Sequence, residues 1–169
     1  MPETARLRLR RLRPADEPIL VALDSDVEVM RYIGSRGGTR EQIVERVRDR
    51  IEADHGPLGW WLIENLADGA FQGVAALLPM PGGGDVELAY RLARASWGRG
   101  IATEAGAALV NWAFSRAGLP HLVAVTFPEN VASQHVLEKV GFRYDGMTDY
   151  SEFRVAHFTI TAEMWRARR

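Results

Sequence analysis

The chain has no cysteine among its 169 residues, which excludes disulfide frameworks, thiolate nucleophiles and cysteine-ligated zinc or iron–sulfur centres. It has one lysine, Lys139, the other basic side chains being arginine. It also lacks a charge excess. With 21 basic and 22 acidic side chains the net charge is -1, so the basic footprint of a nucleic-acid or membrane-surface binder is missing. No run approaches the roughly 18 apolar residues of a membrane span, and no apolar region follows the positively charged start MPETARLRLRRLRPADEP. His55, His121, His135 and His157 have no metal-ligand spacing, so no metal is expected. These absences point to a cytoplasmic protein of one domain, residues 1–169, with no nucleic-acid or membrane partner, and to small ligands.

What is present is an ordered series of elements. RLRLRRL alternates Leu7 and Leu9 against Arg6, Arg8 and Arg10, the period-two pattern of a half-buried strand with a solvated arginine row. Pro14 suits the first turn of a short helix to about Leu23, and Asp26 to Ile33 reads as a second. Thr39 and Gln42 have capping-box spacing, and Ile43, Val44, Val47 and Ile51 make one apolar face, predicting a helix over 39–53. Trp60 to Glu64 and Phe71 to Leu78, joined by Ala67-Asp68-Gly69, read as a hairpin. VELAYRL from Val86 is a strand, 100–117 a helix, and HLVAVT at 121–126 a strand buried on both faces. This strand–helix–strand step implies a parallel pair with a right-handed crossover. A helix from Asn130 to about Val140 and two strands, Phe142–Tyr150 and Arg154–Trp165, complete the chain. The fold class is α/β (α+β): a mixed sheet of about seven strands, antiparallel at its N-terminal part with a parallel central pair, flanked by about four helices.

The segment Trp97-Gly98-Arg99-Gly100-Ile101-Ala102 lies where a strand enters a helix. A glycine-rich turn there lets unpaired backbone N–H groups converge on a phosphate, with the helix dipole adding positive potential. A tight turn without a ligand fits the spacing equally well. A Walker loop and a dinucleotide fingerprint are both unmet, since Thr103 stands where the latter needs its third glycine.

RASWGRGIATEA followed by FPENVASQHVLEKVGF resembles the acyl-CoA-binding half of the GNAT acetyltransferase superfamily, whose pyrophosphate loop reads Gln/Arg-x-x-Gly-x-Gly/Ala. TARLRLRRLRPAD with SDVEVMRYIG is similar to the opening of its RimJ/RimL-type branch, which acetylates ribosomal-protein N-termini and, in relatives, other amines. The resemblance spans roughly residues 4 to 165 and implies the GNAT fold and acetyl-CoA as cosubstrate. It assigns pyrophosphate binding to the backbone of Trp97, Gly98, Arg99, Gly100, Ile101 and Ala102, with Thr103 as a further contact; the first motif position is Ala95, so one side-chain contact is missing. It gives the pantetheine arm to VELAYRL, with an N–H near Ala89 or Tyr90 polarising the acetyl carbonyl and Leu92 closing the strand. Asn130 contacts the cofactor in the family and also suits an N-cap.

Many members carry a tyrosine seven residues after this asparagine as the acid for the departing thiolate; here that place is Leu137. In the RimJ/RimL-type branch the position of Ser133 is given that work, beside the cofactor. The attacking amine must be neutral, which calls for a base. The resemblance points to Glu87, with Asp149 in reserve. Val86, Leu88, Tyr90 and Leu92 share one strand face, and Glu87, Ala89 and Arg91 the other. Trp60 and Trp61 fall on opposite faces, one in the core and one free to line an acceptor cleft. Asp16, Asp24, Asp26 and Glu28 read as a solvated helix surface.

The expected activity is transfer of an acetyl group from acetyl-CoA to a primary amine, on a protein N-terminus or a small molecule, in a ternary complex of a monomer or homodimer. Two alternatives remain open: a non-catalytic acyl-CoA sensor or scaffold of the same fold, and a nucleotide-binding α/β protein using the same glycine turn.

Overall fold

The structure, a computed structural model, describes residues 1–34, 38–53 and 56–168. Alternating Leu7 and Leu9 make β1 (Leu7–Arg11), which pairs antiparallel with β2 (Gly59–Asn65). β2 continues through the Asp68-Gly69 turn into β3 (Phe71–Pro79), and β3 pairs with β4 (Val86–Leu92), again antiparallel. β5 (His121–Thr126) joins β4 in parallel, and β7 (Phe153–Thr161) with β6 (Arg143–Tyr150) completes one seven-stranded sheet in the order β1-β2-β3-β4-β5-β7-β6. The expected fold class is the one observed.

Helices cover both faces. α1 (Glu17–Ser25) and α2 (Arg40–Glu52) bury Leu20, Leu23, Ile43 and Val47 against Val74. On the other face α3 (Ile101–Ser115) and α4 (Val131–Val140) bury Ala105, Leu109, Ala113 and Leu137 over Leu7, Leu9, Trp61, Ala75 and Leu88. The residue patterns explain the boundaries. The Thr39–Gln42 capping box forms with both bonds, Gly141 ends α4 at φ +116°, and the Asn130 side chain caps its start by accepting from the Ser133 N–H. Among the described residues no helix is long and apolar enough to cross a membrane.

Several local expectations are corrected. The first helical segment begins as a 3₁₀ turn at Pro14–Asp16, and the second is only a 3₁₀ turn at Val29–Tyr32. The last strand ends at Thr161, whose hydroxyl accepts from the Met164 N–H and starts a short helix, α5 (Ala162–Arg166). The arginine row is solvated at Arg6 and Arg8 but not at Arg10. Arg10 is largely buried, bridging Asp16 through two bonds of 2.8 Å and Glu64 at 2.7 Å. Asp16 and Asp24 are buried, not solvated, each held by arginine. A one-dimensional pattern cannot show these pairs, because their partners are remote in sequence. The stretch SRGG at 35–38, which reads from sequence as a loop, falls largely outside the described residues, as does His55.

Gly73 lies in β3 beside a register shift in its pairing with β2, at φ +148°. A Cβ there would press on the Arg91 carbonyl and lie 2.7 Å from Leu92 Cα. Gly73→Ala is expected to lower stability by about 2–4 kcal/mol, through left-handed strain and overpacking between β3 and β4. Urea unfolding measures this, and an unchanged midpoint would show that β4 is free to shift.

Candidate active site

The parallel junction of β4 and β5 is registered at one pair only, Glu87 with Val123. From Leu88 onward the β5-facing edge of β4 has no strand partner, so the two strands splay. A cleft of about 830 Å³ opens there, lined by Glu87, Ala89, Tyr90 and Arg91 of β4, by Asn130, Ser133 and Leu137 of α4, and by residues of the β6–β7 hairpin.

Glu87 faces this cleft. Burial pushes its carboxyl from the ordinary 4.5 up to about 7, and a hydrogen bond of 3.5 Å from the Tyr150 hydroxyl opposes the shift only in part. A carboxyl that titrates near neutrality is matched to taking up a proton at physiological pH. Asp149, the reserve carboxylate, lies on the exposed rim, where Arg154 holds it at 3.0 Å. Asp149 falls in β6, within the strand expected over Phe142–Tyr150, and Tyr150 beside it reaches Glu87 only because the β6–β7 pairing brings that hydroxyl over β4.

Ser133 stands in the first turn of α4. Its Oγ lies 2.9 Å from the Tyr90 hydroxyl, which also donates to the Ser133 carbonyl at 3.2 Å. With the tyrosine proton directed to that carbonyl, the serine hydroxyl donates to Tyr90. Burial raises the Tyr90 phenol to about 12, so Tyr90 stays protonated and acts as a hydrogen-bonding partner. Leu137 is buried behind them. Residue order gives the Tyr90 backbone a place on the cofactor strand, but only the docking of α4 brings its side chain to Ser133.

The glycine turn follows β4 directly. A 3₁₀ turn at Arg94–Ser96 leads to Trp97, whose indole donates to the Leu92 carbonyl at 3.0 Å. Leu92 itself is core and lies off the cleft. Gly98 and Gly100 take φ +69° and +75°, conformations that favour glycine, and Gly100 starts α3. The first α-helical bond is Glu104 N–H to Gly100 carbonyl. The N–H groups of Gly98, Arg99, Gly100, Ile101, Ala102 and Thr103 therefore donate to nothing among the described residues. Consecutive free amides at a helix start form an anion cradle. Arg6 braces it from β1's approach, donating to the Arg99 carbonyl at 3.2 Å and pairing with Glu104 at 2.6 Å.

Trp61 is core and Trp60 lines the cleft, as their alternation implied. Under Trp60, Arg91 and Arg50 share the buried carboxylate of Asp24 at 2.9 and 2.7 Å. Burial lowers Arg91 to about 10 despite that partner, and it stays charged at neutral pH. No cluster of metal-ligating side chains occurs among the described residues.

Comparison with known proteins bears on this geometry. The family model described as "Acetyltransferase (GNAT) domain" matches residues 6–143. YkkB of Bacillus subtilis is 31% identical over 147 residues, covering 83% of this chain and 84% of its own. The FsC-acetyl coenzyme A-N(2)-transacetylase of Aspergillus fumigatus is 26% identical over 179 residues, covering 96% of this chain and 76% of its own. The spermidine N-acetyltransferase of Vibrio cholerae, solved with CoA and spermine, shares the fold with a TM-score of 0.81 at 18% identity, over 96% of this chain and 99% of that one.

The burial of Glu87 has a direct thermodynamic consequence. Because the folded state favours the protonated carboxyl, Glu87 costs the fold nothing below its ordinary 4.5 and opposes folding increasingly as pH rises through about 7. Glu87→Gln is expected to be more stable than the parent by about 1–3 kcal/mol near pH ~8 and equal to it near pH ~4. Urea titrations at the two pH values check this. A difference independent of pH would mean that the carboxyl is solvated.

Proposed function

The chain belongs to the GNAT acetyltransferase family and is an acyltransferase, and from that premise we propose that it transfers the acetyl group of acetyl-CoA to a primary amine, on a protein N-terminus or a small molecule, by direct attack in a ternary complex. One observation carries this reading: the unpaired edge of β4 runs straight into a turn with six consecutive free N–H groups. An acyl-CoA has amides that complement the first and a pyrophosphate that complements the second, so the residues present fit it.

In this reading Trp97, Gly98, Arg99, Gly100, Ile101, Ala102 and Thr103 hold the pyrophosphate, and Ala89 and Tyr90 offer backbone to the pantetheine arm and the acyl carbonyl. Acetyl-CoA, when bound, supplies an acyl carbon activated as a thioester. Glu87, ionised in about half the molecules near neutrality, takes the proton from the amine, whose own pKa of about 7.7–10.4 keeps it largely charged in water. Ser133 turns its hydroxyl hydrogen from Tyr90 to the leaving sulfur, and Tyr90 then donates its own proton to the Ser133 Oγ, 2.9 Å away, and holds it in place. A thiol titrating at about 8.5 leaves with this modest help, so the absence of a tyrosine at Leu137 is tolerated. The Asn130 amide, its oxygen engaged in the cap, keeps its NH₂ group for the cofactor. Asp149 serves at the rim as the second proton acceptor. With no cysteine in the chain, no thiol is available for a covalent acetyl-enzyme, which favours direct transfer.

The opening motif supports placement in the RimJ/RimL-type branch, and we further propose that the whole chain is one acetyltransferase domain acting in the cytoplasm as a monomer or homodimer.

Two measurements test the proposal. Acetyl-CoA and CoA, but neither ATP nor NAD, are expected to raise the melting temperature; at 100 times the dissociation constant the gain is about 2.7 kcal/mol. Equal shifts with ATP or NAD would favour the nucleotide-binding reading. Glu87→Gln is expected to lower kcat/KM about 10²- to 10⁴-fold, abolish the rise in rate through pH ~7 and leave acetyl-CoA affinity nearly intact. An unchanged pH–rate profile removes Glu87 from the mechanism. Amine-dependent CoA release no faster than background favours the sensor.

A further inference from the structure

The acceptor side of the cleft is built from rings. Tyr32 and Trp60 stand on one side of β4, Tyr150 and Phe153 on the hairpin opposite, and Phe127 beyond β5, packed edge-on against Phe153 with ring centroids 5.2 Å apart. Carboxylates able to hold additional ammonium groups are scarce there. Glu87 is buried and half protonated near neutrality, Asp149 is engaged by Arg154, and Glu152 lies exposed at the hairpin tip.

The floor carries the opposite charge. Arg91 lines the cleft, and it shares the single carboxylate of Asp24 with Arg50. Both guanidinium groups stack on the Trp60 ring, 5.4 and 4.5 Å from its centroid. The Nη1 of Arg50 is buried without an acceptor among the described residues. Among the described residues, two cations over one anion leave a net positive charge behind Trp60, in surroundings too dry to screen it.

Resting on the transferase reading above, we propose that the acceptor is a monoamine with an apolar, ring-sized body, and that polycationic amines are poor substrates. The ring wall takes the apolar body, and Glu87 takes the proton of its one ammonium group. A second ammonium group would face the Arg91–Arg50 charge without a carboxylate of its own.

The test is the kcat/KM of the purified protein for 2-phenylethylamine, L-phenylalaninamide, spermidine and kanamycin at low ionic strength. Release of CoA is read with a thiol reagent, which meets no cysteine in this chain. One or both ring-bearing monoamines are expected to exceed spermidine and kanamycin by about tenfold or more, and the amide reports whether a peptide-like α-amine or a free amine is preferred. Trp60→Ala and, separately, Phe153→Ala are expected to erode that preference, lowering the rate with the ring-bearing amines more than with spermidine. Faster turnover of spermidine or kanamycin overturns this inference and leaves the transferase reading intact. No amine-dependent CoA release, in a protein that CoA still stabilises, overturns both.

Discussion

The parallel contact between β4 and β5 is the constraint on which the site depends. On either side the sheet is closed by long antiparallel ladders, β3 with β4 from Gly73–Leu92 to Pro79–Val86 and β5 with β7 from His121–Thr161 to Thr126–Ala156. Between them β4 and β5 share a single registered pair, Glu87 with Val123. Because the crossover runs through α3, the helix start lies at the open end of the splay, and its free amides sit beside the unpaired edge of β4. Backbone groups left without partners inside a sheet are costly, about 1–3 kcal/mol each when buried. An extended ligand carrying amides offsets that cost.

Buried charge organises the rest of the molecule. Arg10 ties β1 to β2 and to the turn before α1, while Arg50 and Arg91 tie α2 and β4 to Asp24 of α1. The guanidinium of Arg10 holds the Asp16 carboxyl below its usual range, and the two carboxylates beside Arg10 hold that arginine firmly in its charged form. Glu87 is treated differently. It receives no arginine and one long hydrogen bond, so burial dominates and leaves it near neutrality. The same physics that makes paired carboxylates structural makes this unpaired one available for proton transfer.

Much of this was legible in the chain because it is local. The capping box at Thr39, the Asp68-Gly69 turn, the alternation in β1 and the doubly buried run of β5 each follow from neighbours a few residues apart. The glycine turn announced itself by spacing, and Glu87 through the family resemblance, which implies a base on that strand. Less was legible wherever a polar group met a distant partner. Arg10 reads as a solvated strand residue until Asp16 and Glu64 close on it. Asp24 reads as a helix-surface acid until Arg91, far along the chain, is brought beneath Trp60. Tyr150 and the Tyr90 hydroxyl belong to the site only through strand pairing and the docking of α4.

The sequence by itself therefore determined the element order, the sheet with its parallel step and the glycine turn that opens α3, since hydrophobic period and glycine spacing act over one or two turns of chain. Only the tertiary structure decided the splay of β4 from β5, the depth of Glu87 and the charge on the cleft floor. Those depend on dielectric surroundings and on distances across the sheet, which residue order does not specify.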